Sequence, residues 1–254
     1  MKSQSDRLRR ERQFHDERFG GNDAARRRAD KFYALMQRPR SKLEQAVLAS
    51  ARHAPLLDYG CSTGESAVFW ARHGIDTTGI DLSPEAIRIA NKRVAREGLA
   101  AKLLVMNAEK LYFRDGTFGV VVGTGILHHL NVRNAFCEIA RVLRSDGCAV
   151  FIEPLGRNPL INLYRKLTPS MRSADEHPLC ANDLRIAGEY FGEVRCTFHN
   201  LTTLCAVPLR STPVFTTLYN ALRRVDDALF RFLPFTRDFA WMVTMQLSRP
   251  LHRL

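Results

Sequence analysis

From Pro55 to Pro154 the sequence alternates short apolar runs with longer segments of helical periodicity. The apolar runs, bounded by glycine or polar residues, predict strands. The segments between them predict helices, as in SPEAIRIANKRVAREG, where Ser83 is placed to cap the first turn and Gly98 to end the last. Strands that alternate with helices form a parallel sheet covered by helices on both faces. The five predicted strands are residues 54–60, 76–82, 101–107, 118–125 and 147–154.

Beyond Pro154 the regular alternation ends. A long connection over residues 155–179 contains three prolines and a short helical stretch. The elements predicted after it are a helix (181–192), a strand (193–200), a helix (213–234) and a strand (239–248). The helix over 213–234 has apolar residues at helical spacing, and Asp227 and Arg231 are spaced for an ion pair within it. We expect this helix to pack on the core, with lining of an apolar substrate tunnel or peripheral contact with a membrane as open alternatives.

The first 50 or so residues are rich in arginine and alanine and predict two helices separated by Gly20 and Gly21. The chain has a formal net charge of +12, which permits a nucleic acid or an anionic membrane as partner but requires neither. A solvated helix face is the favoured explanation, because the arginines are not interleaved with aromatic residues that would stack on bases.

The six cysteines are scattered and form no C-x-x-C pair. This pattern is typical of reduced cysteines in a cytoplasmic protein, so neither a disulfide framework nor a metal site is expected. The basic first residues lack the apolar stretch of a secretory signal, and no run approaches the roughly 20 apolar residues of a membrane-spanning helix. The pattern leaves the oligomeric state open.

The stretch LLDYGCSTGESA places Asp58, Gly60 and Gly64 between the first strand and the first helix of the alternation. It matches neither the dinucleotide fingerprint G-x-G-x-x-G nor the phosphate-binding loop, which requires a lysine. Ligands of parallel sheets bind at the carboxyl ends of strands, where the anion Asp58 suits a cationic ligand such as S-adenosylmethionine. Asp81 ends the second strand, about 20 residues further on, at the position that binds ribose hydroxyls in dinucleotide folds.

Four motifs follow one another: LLDYGCSTGESA, GIDLS, MNAEKLYF and FGVVVGTGILHHL. In this order and spacing they resemble the class I S-adenosylmethionine-dependent methyltransferases, and most closely the type 11 small-molecule subgroup. The resemblance covers about residues 50–155 and implies a Rossmann-like α/β fold, a mostly parallel seven-stranded sheet with an antiparallel last strand. It divides the chain into an N-terminal helical segment (1–50), a candidate lid, and a methyltransferase domain (51–254). Insertions at 154–180 and 201–238 are candidates for the acceptor site.

The resemblance implies S-adenosyl-L-methionine as the cofactor and S-adenosyl-L-homocysteine as the product. The implied cofactor-binding residues are Asp58, Gly60, Cys61, Gly64, Asp81, Leu82, Asn107, Ala108, Glu109 and Thr124. Two positions depart from the family pattern, since Asn107 and Gly119 stand where the family often has Asp. Asn107 can still accept a hydrogen bond.

His128, in the LHHL that follows the fourth strand, is the candidate general base, because histidine titrates near neutral pH. Packing or cofactor contact is the favoured alternative for this residue. Glu153 ends the fifth strand and either faces a substrate or bonds a backbone amide near Pro154. The long connection that follows is a candidate acceptor wall. The substrate candidates are His15, Glu153, Asn158, Tyr164, Arg172 and His177.

These observations predict methyl transfer to an O, N or C atom of a small or lipid-like, amphiphilic molecule. An RNA methyltransferase is the rival enzyme, motivated by the net charge. It is disfavoured because the fourth strand ends in GTGI instead of the N-P-P-[YF] of many base N-methylating families. A non-catalytic cofactor-binding scaffold is the third alternative, and Asp58 and Asp81 argue against it.

Overall fold

A computed structural model describes residues 4–20, 32, 34–50, 54–169, 172–173 and 175–251. The helices are α1 (Gln4–Gly20), α2 (Gln37–Ser50), α3 (Glu65–Arg72), α4 (Pro84–Arg96), α5 (Val132–Val142), α6 (Pro159–Leu167), α7 (Ala181–Ala187) and α8 (Phe215–Phe232). The strands are β1 (Leu56–Tyr59), β2 (Thr77–Asp81), β3 (Lys102–Val105), β4 (Phe118–Thr124), β5 (Leu143–Pro154), β6 (Phe191–His199) and β7 (Met242–Pro250). Short 3-10 helices cover Ala34–Met36, Leu127–His129, Thr202–Leu209 and Pro234–Phe239. The first predicted N-terminal helix is therefore present, whereas most of the second falls on residues 21–31 and 33, outside the described residues.

The seven strands form one sheet in the order β3-β2-β1-β4-β5-β7-β6. The pairs from β3 to β5 are parallel, and β7 runs antiparallel to both β5 and β6. The predicted mostly parallel seven-stranded sheet with an antiparallel last strand is confirmed. The strand order reverses between β1 and β4, so their carboxyl ends and that of β2 border a crevice of the kind that binds ligands in open sheets.

The centre of the sheet is buried on both faces, so every residue of β1 and all of β4 except Thr124 is buried. On one face, Phe136 and Ile139 of α5 are fully buried in the main core cluster. On the other face, Leu43 and Val47 of α2 pack with Val120 of β4. The helices thereby hold the strand ends rigidly in place.

The helix starts follow the sequence closely. Ser83 caps α4 by accepting a hydrogen bond from the Ala86 amide. Asn131 caps α5 in the same way, through the Asn134 amide.

Two local predictions are wrong. The helix predicted between the fourth and fifth strands ends at Val142, because Leu143 pairs with Phe118 and begins β5 ahead of its predicted start at residue 147. A register shift follows in this pair of strands, where a Cβ on Gly147 would approach the Gly119 carbonyl oxygen to 2.9 Å. Asp227 pairs with Arg38 (2.7 Å) and with Arg223 (3.4 Å) and not with Arg231.

The sequence predicts that helix α8 packs its apolar residues on the core, but it does so only in part. Its buried residues are Asp226 and Phe230. The Asp226 carboxylate accepts hydrogen bonds from the Leu201 and Thr202 amides and thereby anchors the 3-10 helix Thr202–Leu209. Several of the helix's apolar residues remain exposed. None of the helices in the described part of the chain combines the length and hydrophobicity needed to cross a bilayer.

Candidate active site

A cavity of about 450 Å³ opens at the carboxyl ends of β1, β2 and β4. Helix α1 lies across it and supplies one wall. The residues from the sheet side are Gly60, Ser62, Ile80, Asp81, Leu82, Met106, Asn107, Ala108, Thr124, Gly125, Ile126, His128, His129 and Leu130. Those from α1 are Arg7, Leu8, Glu11, His15, Arg18 and Phe19, and Arg172 and Glu176 complete the lining. We call this space the first cavity.

The glycine turn after β1 brings backbone, not side chain, to the first cavity. Gly60 has a φ of +82°, and a Cβ there would meet Ile126 at 2.8 Å. Gly64 has a φ of +80° and packs on Ala90 of α4, so it serves helix packing instead of lining the cavity. Cys61 is buried beside Gly79, and burial raises the pKa of its thiol well above the ordinary value.

Two acids stand at neighbouring strand ends. Asp81 lines the first cavity and accepts hydrogen bonds from the Ser62 and Ser83 amides, each at 2.9 Å. Burial raises its pKa, against the effect of those backbone bonds. Asp58 lies deeper and accepts from the Ser66 hydroxyl at 2.5 Å, and burial raises its pKa to about 7. Among the described residues, no lysine or arginine forms an ion pair with either acid.

The end of β3 supplies a polar corner. The Asn107 side chain accepts from the Glu109 amide at 2.9 Å, which fixes the turn. Ala108 is buried, and its carbonyl accepts the Tyr59 hydroxyl. Glu109 points away from the cavity, accepting from the Asn131 amide at 2.8 Å and from Arg7 of α1.

Helix α1 is fastened over the first cavity by polar contacts at several points. Arg7 bridges Glu109 and the His129 carbonyl, and Arg10 pairs with Asp175 through two hydrogen bonds of 2.8 and 2.9 Å. Two further hydrogen bonds join α1 to the rest of the protein: the Ser83 hydroxyl donates to Asp16, and the Ser173 hydroxyl donates to Glu11.

Glu11 also faces two histidines, His129 at 3.2 Å and His15 at 3.6 Å. Burial alone would raise the pKa of Glu11, but these histidines and Ser173 outweigh it and lower the pKa. Burial lowers the pKa of His129. The donor atoms of Glu11, His15 and His129 lie within 4.8 Å of one another, so a metal ion would find ligands there.

A second cavity of about 270 Å³ adjoins the first. Gly125, His128, Arg172 and Glu176 line both, so the two spaces meet at these residues. The second cavity is otherwise mainly apolar and aromatic. Its remaining lining residues are Phe32, Met36, Pro154, Ile161, Tyr164, Arg165, Trp241 and Met242.

His128 is held in one orientation at the junction of the cavities. Its Nδ1 lies 2.8 Å from Oε2 of Glu153, whose other oxygen accepts the Ile126 and Leu127 amides at 2.9 Å each. Because these contacts arrange Glu153 as an acceptor, Nδ1 carries the hydrogen. Nε2 lies on the side of Glu176, whose Oε1 is 3.9 Å away.

The substrate candidates divide into two groups. His15 lines the first cavity, Tyr164 the second and Arg172 both. The other three residues line neither cavity. Asn158 caps α6, Glu153 holds His128, and His177 has an exposed side chain while its amide donates to the His128 carbonyl at 2.9 Å.

Several lining residues carry no sequence signal that identifies them. Arg7, Glu11 and Arg18 are part of an arginine-rich segment that looks uniformly charged. Phe32, Trp241 and Glu176 are far apart in the chain and meet only in the folded protein. The one signal available was the length of the connection after Pro154, which contains Tyr164, Arg165, Arg172 and Glu176.

The sequence profile of the methyltransferase-domain family matches residues 57–151. This segment contains the glycine turn, Asp81, the polar corner after β3, and His128. Residues 57–151 are a class I S-adenosylmethionine-dependent methyltransferase domain of type 11. The predicted family is thereby confirmed for this segment.

Curated relatives of this methyltransferase domain agree with the match. An uncharacterized methyltransferase, YodH of Bacillus subtilis, is 32% identical over 119 residues, which are 46% of this chain and 51% of YodH. A demethylmenaquinone methyltransferase of Chlorobaculum parvum is 37% identical over 128 residues, 48% of this chain and 50% of that protein. The chain therefore spans about half the length of the curated relatives it matches.

Solved structures share the fold over more of the chain. A geranyl diphosphate C-methyltransferase from Streptomyces coelicolor, in complex with Mg²⁺, geranyl diphosphate and S-adenosyl-L-homocysteine, superposes with a TM-score of 0.59 at 18% identity. The superposition covers 85% of this chain and 82% of that one. At this identity the likeness establishes the methyltransferase fold alone.

Proposed function

We propose that this protein is a methyltransferase that binds S-adenosylmethionine in the first cavity and a small amphiphilic acceptor in the second. The observation that carries the proposal is the meeting of the two cavities at His128, a histidine oriented by Glu153. A group-transfer site needs two adjoining compartments and a contact point between them. Helix α1 is the lid of the first compartment in this proposal.

The residues of the first cavity fit the cofactor. Asp58 is buried and Asp81 is partly buried; their raised pKa values reflect the cost of holding an anion away from water, and a positively charged ligand offsets that cost. Asp81 has oxygens at the cavity for the ribose hydroxyls, and Ala108 with Asn107 would border the adenine. Gly60 and Thr124 would lie along the methionine part. S-adenosylmethionine supplies an activated methyl group on a sulfonium, so the protein need not activate the donor.

His128 is the proposed general base. An acceptor hydroxyl at the junction would give its proton to Nε2, and Glu153 would stabilise the imidazolium that results. The oxygen would thereby keep the O–H electron pair for its new bond to the methyl carbon, whose bond to the sulfonium sulfur would break, with S-adenosyl-L-homocysteine as the leaving group. Both cavities contain Arg172 and Glu176, which would orient the acceptor beside His128.

The second cavity supports an acceptor with an apolar body and an anionic or polar head. Phe32, Tyr164 and Trp241 form an aromatic wall, with ring centroids 5.0 and 5.3 Å from Phe32. Arg165 lies against this wall, and burial together with Arg172 lowers its pKa to about 10. A pair of partly buried guanidiniums favours an anionic or polar head group.

Named relatives and neighbours support a small-molecule acceptor over RNA. They include a demethylmenaquinone methyltransferase, an ajmaline N-methyltransferase and a geranyl diphosphate C-methyltransferase. Acceptors of this kind include lipid-like molecules.

The test is transfer of a labelled methyl group from S-adenosylmethionine into fractions of a lipid extract and a polar extract, followed by mass analysis. The wild type is expected to label one small product. His128→Ala should cut its formation rate about 10²- to 10⁴-fold with cofactor affinity unchanged. His177→Ala is the matched control, because the His177 side chain is exposed and only its amide touches His128. Equal rates for His128→Ala and His177→Ala would contradict the proposed base, and label found only in added RNA would contradict the proposed acceptor class.

A further inference from the structure

The outer side of α6 is an apolar surface without a partner among the described residues. Leu160, Leu163 and Leu167 are 51%, 57% and 72% exposed and follow one another at helical spacing on a single face. The opposite side of the same helix contributes Ile161, Tyr164 and Arg165 to the second cavity. One short helix thus separates that cavity from solvent.

A second apolar segment adjoins α6. Phe232, Leu233 and Phe235, at the end of α8 and in the turn after it, are 71%, 44% and 66% exposed. Two contacts hold this turn to the start of α6: Asn158 donates to the Phe239 carbonyl at 2.7 Å, and Arg157 pairs with Asp238 at 2.8 Å. These contacts join the two segments, and their exposed leucines and phenylalanines are together called here the apolar corner.

The charges around the apolar corner have one sign. Residues 154–174 contain arginines and a lysine but no acid. Lys166 and Arg231 are exposed, next to Leu167 and Phe232. The nearby acids are occupied, since Asp226 is buried under 3-10 helix amides, Asp227 pairs with Arg38 and Asp238 with Arg157. Exposed apolar side chains with exposed cations beside them complement an anionic lipid surface, where the chains enter the interface and the cations meet head groups.

We infer that the apolar corner docks this protein on an anionic membrane surface, with the outer face of α6 in the interface. Docking by this face brings the wall of the second cavity to the lipid, so a lipid-like acceptor would enter without crossing water. The docking surface goes beyond the proposed methyl transfer and does not depend on it, because binding to vesicles needs neither cofactor nor turnover.

The experiment is co-sedimentation of the full chain with two kinds of vesicle, one of phosphatidylcholine alone and one with about 30% phosphatidylglycerol. The wild type is expected to bind the anionic vesicles and to bind the neutral ones at least about tenfold more weakly. Raising the salt concentration should weaken binding without abolishing it, because the apolar contribution is not screened.

Leu163→Gln with Leu167→Gln should weaken binding to anionic vesicles by at least about tenfold at every salt concentration. Tyr112→Ser is the matched control, since Tyr112 is 76% exposed but lies on the connection between β3 and β4. Thermal unfolding of the three proteins should agree, because the altered side chains lie at the surface.

Two results would overturn the inference. One is binding by the double variant that equals that of the wild type. The other is a wild type that binds neither vesicle but is dimeric by light scattering and becomes monomeric in the double variant. That second result would assign the corner to another copy of the chain.

Discussion

At the scale of single residues, Asp58 and Asp81 are the two acids beside the first cavity that bear on the proposed ligand. Asp58 is buried and Asp81 is partly buried, both have raised pKa values, and the charge of Asp81 contributes to raising the pKa of Asp58. Two anions so close together disfavour a phosphate at this corner and favour a cationic ligand. This is the physical reason why the glycine turn here differs from that of a dinucleotide-binding fold.

Cofactor affinity should depend on pH through Asp58. Its pKa in the folded, ligand-free protein is about 7, above the ordinary value, so the carboxyl is largely protonated at lower pH. Affinity for S-adenosylmethionine should therefore increase with pH by up to about tenfold per unit below pH 7 and level off above it. Calorimetric titrations across this range would measure the slope. Asp58→Asn should flatten it, and equal slopes in the two proteins would refute this role of Asp58.

The pKa of Asp58 has the opposite consequence for stability. A carboxyl whose pKa is raised on folding contributes stability that is complete below its unfolded pKa, near 4, and is lost as pH rises through about 7. The ligand-free protein should lose this contribution as pH rises to neutrality. A bound cation restores stability at neutral pH. The increase in unfolding temperature caused by S-adenosylmethionine should therefore be larger at about pH 8, above that pKa, than at about pH 6, below it.

At the scale of elements, α1 covers one side of the first cavity and is the proposed lid. It contributes six lining residues and is held to the rest of the protein by side-chain pairs that are distant in sequence. Arg7 and Glu109 are 102 positions apart, and Arg10 and Asp175 are 165 apart. A lid fastened by polar contacts can open without exposing the main core, which suits a site that must exchange ligands.

Arg7→Ala should loosen the proposed lid, because it removes two hydrogen bonds made by a charged group. Part of the lost binding free energy should appear as an affinity for S-adenosylmethionine that is weaker by about three- to thirtyfold. Arg9→Ala is the control, because Arg9 is an exposed arginine two positions away on the same helix. Calorimetry of both variants checks the result. Equal affinities would mean that α1 is not coupled to cofactor binding.

The sequence predicts which residues border the first cavity where their position on a strand decides it. Gly60 follows β1, Asp81 ends β2 and Asn107 lies two residues after β3, so a correct strand assignment brings them to one edge of the sheet. Glu153 and His128 are both visible as candidates, but their pairing requires β5 to lie beside β4 in a definite register. Gly64 and Asn158 belong to recognisable motifs yet act as a packing contact and a helix cap, because local geometry serves structure as well as ligands. The lid and the aromatic wall are set by contacts between distant segments, which no local pattern encodes.

At the scale of the whole molecule, the two cavities lie against different parts of the sheet. The parallel half from β3 to β5 carries the strand ends that border the first cavity. The second cavity lies where the two halves of the sheet meet, with Pro154 of β5 and Met242 of β7 among its lining residues. His199 joins β6 to β7 through Thr244, 2.9 Å away, and is nearly inaccessible.

His199 should make the fold sensitive to acid. Burial, together with Arg38 and Lys42, lowers its pKa to about 3, below the ordinary value near 6.5. A base whose pKa is depressed on folding contributes stability that is complete above its unfolded pKa, near 6.5, and is lost as pH falls toward about 3. The free energy of unfolding should decrease by no more than about 1.4 kcal/mol per pH unit over this range. Urea unfolding of wild type and His199→Gln between these limits would test this. The variant should lose less stability over the interval, and parallel losses would exclude His199 as the cause.

The account depends most on the first cavity being the site of S-adenosylmethionine. Calorimetric titration of wild type and Asp81→Ala with this cofactor tests that claim most directly. Asp76→Ala is the control, because Asp76 is exposed and precedes the first residue of β2, at the end of the strand away from Asp81. Wild type and Asp76→Ala should bind equally, and Asp81→Ala should bind more weakly by about 1.5 to 3 kcal/mol, the worth of hydrogen bonds to a charged group. Absence of binding by the wild type, or equal binding by Asp81→Ala and the wild type, would contradict it.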